Sequence, residues 1–335
     1  MKFLCLHGMG TSAAIFKVQT SAFRAKLPPG EHTFTFVNAP HECDATRAIS
    51  PFFPGPHYTF CRNYTIPEVE AAPLFILAIL DAARAAGEPY DALICFSQGS
   101  ALAAGLLMAH RIERPGTPLP VRGIVFICGG VPLPLLEVWG LRVPKKAFEI
   151  NELTGRDLQR KAAAAGMEIR ALMEGGGVDG ACGGGGRGAT VTKSSSEKRP
   201  PLVRRQTSLW RDTTTLYHRR EVEMFERQGG DDNKTSEDGL DPKALPPLEA
   251  DDVYGLNLTD IPEHLVIDIP TVHIYGIKDP RYPAAVQLAW FCNPDKRRVF
   301  DTGGGHEIPR SSQVSREIAD AIVWLQDMVS REDSL

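Results

Sequence analysis

Six short apolar runs, each closed by glycine, proline or a turn residue, constrain this chain more than any other feature. They are 2-KFLCLHG-8, 32-HTFTFVNAP-40, 92-ALICF-96, 122-RGIVFICGG-130, 270-PTVHIYG-276 and 296-KRRVFDTGG-304. Runs this short and this apolar fit strands buried on both faces of a mainly parallel sheet. Helical patterns lie between them, at 66–87 with Pro67 at its start, at 98–112, and at 312–330. In the last of these Val314, Ile318, Ala321, Ile322, Leu325 and Met328 fall on one face. Strands alternating with helices predict an α/β fold, a mainly parallel sheet flanked by helices.

The middle of the chain breaks this rhythm. Strand signals stop near Asn151 and return near Ala250. Between them come 174-EGGGVDGACGGGGRG-188, 193-KSSSEKRPP-201 and 228-QGGDDNKTSEDG-239. Such sequence buries little apolar surface, so 151–250 reads as a long, low-complexity, partly disordered insertion and a candidate lid. The expected organisation is a single domain over 1–335, with its core in 1–150 and 251–330. Within the insertion, 154–174 and 213–228 carry helical patterns. The run 183-GGGGRG-188 follows no strand, which sets it apart from a dinucleotide-binding loop. The stretch 203-VRRQTSLW-210 reads as a solvated charge cluster.

Composition narrows the function. The formal net charge of -4 over 335 residues implies no basic surface, so nucleic acid is not an expected partner. No apolar run reaches the roughly 18 residues of a membrane span. His7 and Gly8 interrupt the first apolar run, so the start reads as a buried strand rather than a secretory signal. The 7 cysteines are scattered and never form C-x-x-C, which argues against a disulfide framework or a zinc site. A reducing, cytoplasmic setting is expected.

Four stretches carry chemistry. In 94-ICFSQGS-100, Ser97 follows a strand and precedes a helix rich in small residues, the setting of a nucleophile elbow. The first glycine of G-x-S-x-G is replaced by Cys95. That cysteine sits two residues before the apex, so it reads as a small buried filler and not as the nucleophile. In 6-LHGMGTSAAIF-16 a glycine-bearing loop follows the first strand, and Met9 or Gly10 would donate one N–H to an oxyanion, with Gln98 donating the other. In 273-HIYGIKDP-280, Asp279 stands just past a strand, ahead of its rivals Asp268 and Asp301. In 301-DTGGGHEIPR-310, His306 follows a strand and three glycines. His110, His218 and His273 have weaker contexts. The order Ser97, Asp279, His306 is that of an α/β-hydrolase triad. The aromatic stretch 52-FFPGPHYTF-60 is a candidate acyl pocket.

Taken together, FLCLHGMGTSAAIFKVQT, F-V-N-A-P with P-G-P-H-Y, C-F-S-Q-G-S-A-L-A-A, V-Y-G-L, P-T-V-H-I-Y-G-I-K-D-P and G-G-G-H-E-I-P-R resemble the fungal family of serine hydrolases. These FSH-type α/β-hydrolases are related to ovarian-cancer-associated protein 2 and to lovastatin-pathway-type polyketide thioesterases. The resemblance covers most of 1–145 and 250–325 and implies an α/β-hydrolase fold with its triad on Ser97, Asp279 and His306. It implies an acyl ester or thioester substrate and no metal or organic cofactor. It further implies a role in fungal secondary metabolism, releasing a polyketide chain from an acyl carrier domain of a polyketide synthase. The alternatives are a general carboxylesterase on small esters and a non-catalytic binding protein on a hydrolase scaffold.

Overall fold

The computed structural model describes residues 1–46, 49, 52–175, 252–257 and 261–332. All six apolar runs are strands of one sheet. They are β1 (Lys2–Leu6), β2 (Thr33–Val37), β5 (Ala92–Phe96), β6 (Gly123–Ile127), β9 (Thr271–Tyr275) and β10 (Arg297–Asp301). Their order across the sheet is β10-β9-β6-β5-β1-β2, and every neighbouring pair is parallel. This is the expected α/β fold.

Side chains alternate along each strand, which splits the sheet's apolar residues between two cores. Leu4, Leu6, Leu93, Cys95, Ile124 and Phe126 belong to one core. It is covered by α3 (Ile66–Ala85), α4 (Gln98–Glu113), α5 (Leu133–Val138) and α7 (Tyr282–Trp290). Phe3, Cys5, Ile94, Val125, Val272 and Ile274 face the other core, under α1 (Ala13–Gln19), α2 (Ser21–Arg24) and α8 (Ser312–Glu332). Ile318, Ala321, Ile322 and Leu325 of α8 are buried there, as their helical spacing predicts. A sheet covered on both faces explains why its strands read as continuous apolar runs.

Three features were not foreseen. A short antiparallel hairpin, β3 (His41–Cys43) with β4 (His57–Thr59), lies between β2 and α3. A second one, β7 (Asp252–Val253) with β8 (Leu256–Asn257), precedes β9. Helix α6 spans Lys145–Gly175, so the helix expected over 154–174 starts nine residues earlier, within the expected core. Most of the expected insertion lies outside the described residues, including the 213–228 helical pattern, the 183–188 and 203–210 stretches, Cys182 and His218. No helix among the described residues is long and apolar enough to cross a membrane.

Candidate active site

The parallel strands deliver their carboxyl ends to one edge, and ligands of such sheets bind beyond that edge, where strand order reverses. Here the chain goes from β1 to the edge strand β2 and then to β5 on the other side of β1. Ser97 sits at that reversal. It follows β5 directly and precedes α4, with φ 51 and ψ -112. A β-carbon on Gly99 would stand 2.7 Å from the Leu6 carbonyl oxygen and 2.8 Å from that of His7. Only glycine therefore lets α4 start against the end of β1, and this close approach forces the sharp turn at Ser97.

The imidazole of His306 bridges Ser97 and Asp279. Its Nε2 is 2.8 Å from Ser97 Oγ, and its Nδ1 is 2.8 Å from Asp279 Oδ2. A carboxylate only accepts, so Nδ1 carries the proton and Nε2 accepts from the serine hydroxyl. Asp279 is fully buried, and its other oxygen accepts the Arg281 backbone N–H at 2.7 Å. Neither rival acid reaches the histidine. Asp268 accepts from Asn293 Nδ2 at 2.6 Å and lies 3.2 Å from Lys296 Nζ, before β9. Asp301 accepts the N–H groups of Ile277 (3.1 Å) and Gly303 (2.8 Å), bracing the loop below the histidine.

Two glycines let the aspartate and histidine loops meet. The Lys278 N–H donates to the Gly304 carbonyl at 3.0 Å. A β-carbon on Gly276 would fall 2.0 Å from that same oxygen. Gly276 is thus a requirement of the contact, and no motif pointed to it in this role.

The two donors expected beside the serine fare differently. The Gly10 N–H is already given to the Tyr58 carbonyl at 3.0 Å. Among the described residues the Met9 N–H has no acceptor, which leaves Met9 as the candidate from this loop. Gln98 is the first residue of α4, so its N–H has no acceptor within the helix. His7 supports the loop. Its Nε2 accepts the Ala39 N–H at 3.0 Å, so its proton sits on Nδ1 and reaches the Gly8 carbonyl at 2.7 Å. Burial lowers the His7 pKa and keeps the ring neutral.

Two cysteines lie near the serine. Cys95 is fully buried in β5, and burial pushes its thiol well above the ordinary range, with Cys5 adding to the effect. It is the filler expected at this position. Cys128 directly follows β6 with φ 48, and its Sγ contacts the Glu307 carbonyl at 3.7 Å. Burial, then the neighbouring Asp279 carboxylate, push this thiol up as well. Cys128, Asp279 and His306 are the one group of metal-ligand types gathered together among the described residues. Their donors are turned to one another, with a neutral thiol beside a hydrogen-bonded His–Asp pair, which is a poor cation cage. The sequence marks Cys128 as a small buried hydrophobe in an apolar run, and it is buried; its place beside Asp279 was not legible, because a left-handed backbone has no signature in a non-glycine residue.

Of the weaker histidine candidates, His110 and His273 are among the described residues, and each has a structural partner. His110 Nε2 contacts the Pro118 carbonyl at 3.0 Å, and His273 is enclosed in β9 beside Thr271 Oγ1. A cavity of about 900 Å³ opens beside Ser97 and His306. Its lining is mostly apolar and includes Met9, Ile49, Phe52, Phe53, Leu158 and Ala162. Of the aromatic stretch 52–60, only the first two residues line it. Tyr58 belongs to β4, and Phe60 is buried in the core.

The chain is similar to fungal proteins named as esterases or hydrolases. Esterase alnB of Emericella nidulans is 34% identical over 125 residues, covering 37% of this chain and 42% of its own. Hydrolase FUB4 of Fusarium oxysporum is 33% identical over 136 residues, covering 39% of this chain and 48% of its own. The match thus spans less than half the length of either. Hydrolase FUB4 of Gibberella moniliformis aligns over 96% of this chain and 97% of its own, at 25% identity. A model of one family, the FSH1 serine hydrolases, matches residues 1–153 and 245–318. Those two segments are well over half of the chain and hold Ser97, Asp279 and His306, so the chain belongs to the FSH1 serine hydrolase family.

Proposed function

We propose that the protein is a serine esterase or thioesterase with Ser97 as nucleophile, His306 as base and Asp279 as the acid that orients it. The observation that carries this reading is the relay from Ser97 Oγ to His306 Nε2 and from His306 Nδ1 to Asp279 Oδ2, each 2.8 Å. His306 takes the Ser97 proton as Oγ attacks the acyl carbonyl, and Asp279 stabilises the imidazolium that forms. The oxyanion is received by the N–H groups of Gln98 and Met9. His306 then protonates the departing alcohol or thiol, and water cleaves the acyl-enzyme by the same route. These steps need no metal or organic cofactor.

The finer reading is a polyketide acyl thioester on a carrier domain as substrate. It is supported by the resemblance of the elbow and G-G-G-H-E-I-P-R motifs to polyketide-releasing members of the family. A fluorophosphonate probe tests the enzyme reading: it should label wild type at Ser97 and fail to label Ser97→Ala. An unlabelled, folded wild type would point to a non-catalytic binding protein. Acyl-carrier thioesters and p-nitrophenyl esters offered side by side test the substrate. Turnover of the small esters alone would leave a general carboxylesterase. We further propose that 151–250 is inserted in a single domain whose core is 1–150 and 251–330.

A further inference from the structure

One wall of the cavity beside Ser97 comes from outside the segments that match the family. The first of those segments ends at residue 153, whereas α6 continues to Gly175. Thr154, Leu158 and Ala162 are spaced by four residues along α6 and therefore share a face. Thr154 is buried, and its hydroxyl accepts from Arg281 Nη1 at 3.0 Å. Arg281 also donates to the Asn151 carbonyl (2.7 Å) and to Asn151 Oδ1 (2.6 Å). The backbone N–H of Arg281 is the group held by Asp279. A single residue thus ties this helix face to the carboxylate that holds His306. The next two residues on the face, Leu158 and Ala162, line the same cavity as Ser97. Ile49, Phe52 and Phe53 line it too, and the apolar share of the lining outweighs polar residues such as Gln19, Thr46 and Arg310.

We propose that Leu158 and Ala162 gauge the length of an apolar acyl chain carried by the substrate. This rests on the serine-hydrolase reading and adds a substrate class to it. An apolar wall rewards each methylene that it removes from water. Ala162 is the smaller of the pair, so enlarging it fills space that a long chain would occupy. The anchor through Arg281 fixes the wall relative to the reacting centre.

The experiment measures labelling rates with alkyl fluorophosphonates from ethyl to dodecyl, on wild type, Ala162→Trp and Leu158→Ala. In this reaction Ser97 Oγ bonds to phosphorus, fluoride leaves, and the serine proton passes to His306. Wild type should react faster with dodecyl than with ethyl. Ala162→Trp should cut the dodecyl-to-ethyl ratio by about tenfold or more. Leu158→Ala should change that ratio as well, and it decides the matter alone if melting curves show Ala162→Trp unfolded. A ratio that is the same in all folded proteins, or a wild type that prefers ethyl, overturns the gauge and leaves the hydrolase reading standing. Absence of any labelling of wild type removes both.

Discussion

Gln98 holds the backbone N–H of Phe60 through its side-chain oxygen at 3.0 Å. Its amide nitrogen reaches the hydroxyls of Thr59 (3.0 Å) and Tyr64 (3.1 Å). The same strand, β4, grips the other side of the site. The Tyr58 carbonyl accepts the Gly10 N–H, and the Tyr58 N–H donates to the Thr11 carbonyl at 2.7 Å. Residues 58–60, at the end of β4, therefore hold both the loop of Met9 and the start of α4, which carry the proposed oxyanion donors. Preorganised donors are worth most when their positions cannot relax.

Gln98→Met keeps the stem and removes the amide. The backbone N–H donor remains but loses the clasp that positions it, and a displacement of about 1 Å should lower kcat by about 10²-fold with little change in KM. Stability should fall by about 1–3 kcal/mol because the buried Phe60 N–H loses its partner. Steady-state kinetics with urea melts read both. An unchanged kcat would show that β4 does not set the donor spacing.

Ser97 sits at φ 51, where a β-carbon is strained. Ser97→Gly should therefore be more stable than Ser97→Ala by about 1 kcal/mol, even after glycine's greater chain entropy is subtracted. Paired thermal melts compare the two. A more stable alanine variant would mean that the turn holds no strain.

Cys95→Gly should keep kcat within a few-fold while lowering stability by about 1–3 kcal/mol, from a small void and a glycine within a buried strand. Activity assays and denaturant melts on one preparation suffice. Loss of activity without loss of stability would reopen a chemical role for the thiol.

Gly276→Ala should uncouple the aspartate loop from the histidine loop. The added carbon would meet the Gly304 oxygen at 2.0 Å, so the backbone has to move. Displacing a catalytic group by about 1 Å costs about 10² in rate. The rate of fluorophosphonate labelling in folded protein is the readout, and a wild-type rate would show that the loops meet without this glycine.

Acid should destabilise the fold through His273. Burial, then the charge of Arg297, push its pKa from 6.5 down to about 3. Between those values the unfolded chain binds a proton that the native ring refuses. Stability therefore falls as pH drops from 6.5 towards 3, by about 2 kcal/mol at pH 5. His273→Gln should flatten that limb of the stability-against-pH curve. A limb of unchanged slope would place the acid sensitivity elsewhere.

The sheet was legible because its signal is local. The runs of β1, β5, β6 and β9 are bounded by turn residues and buried on both faces, so β1 and β5 announce themselves without reference to their neighbours. The order of Ser97, Asp279 and His306 was also readable, since each follows its own strand in the chain. The choice of Asp279 over Asp301 was not settled by sequence alone. Asp279 follows β9 and Asp301 ends β10, and what separates them is their partners: Asp279 meets His306 Nδ1, whereas Asp301 accepts the N–H groups of Ile277 and Gly303.

By itself, the sequence determined which segments become the strands of the central sheet, which residues end them and which small residues stand at the turns. Tertiary structure alone decided that Gly10 spends its N–H on Tyr58, that Gln98 clasps β4, and that Arg281 ties α6 to the Asp279 loop. Gly10 and Tyr58 lie 48 residues apart in the chain, Phe60 and Gln98 38, and Asn151 and Arg281 130. Hydrogen-bond pairing over such separations depends on how the loops fold back over the sheet edge, and no local periodicity encodes it.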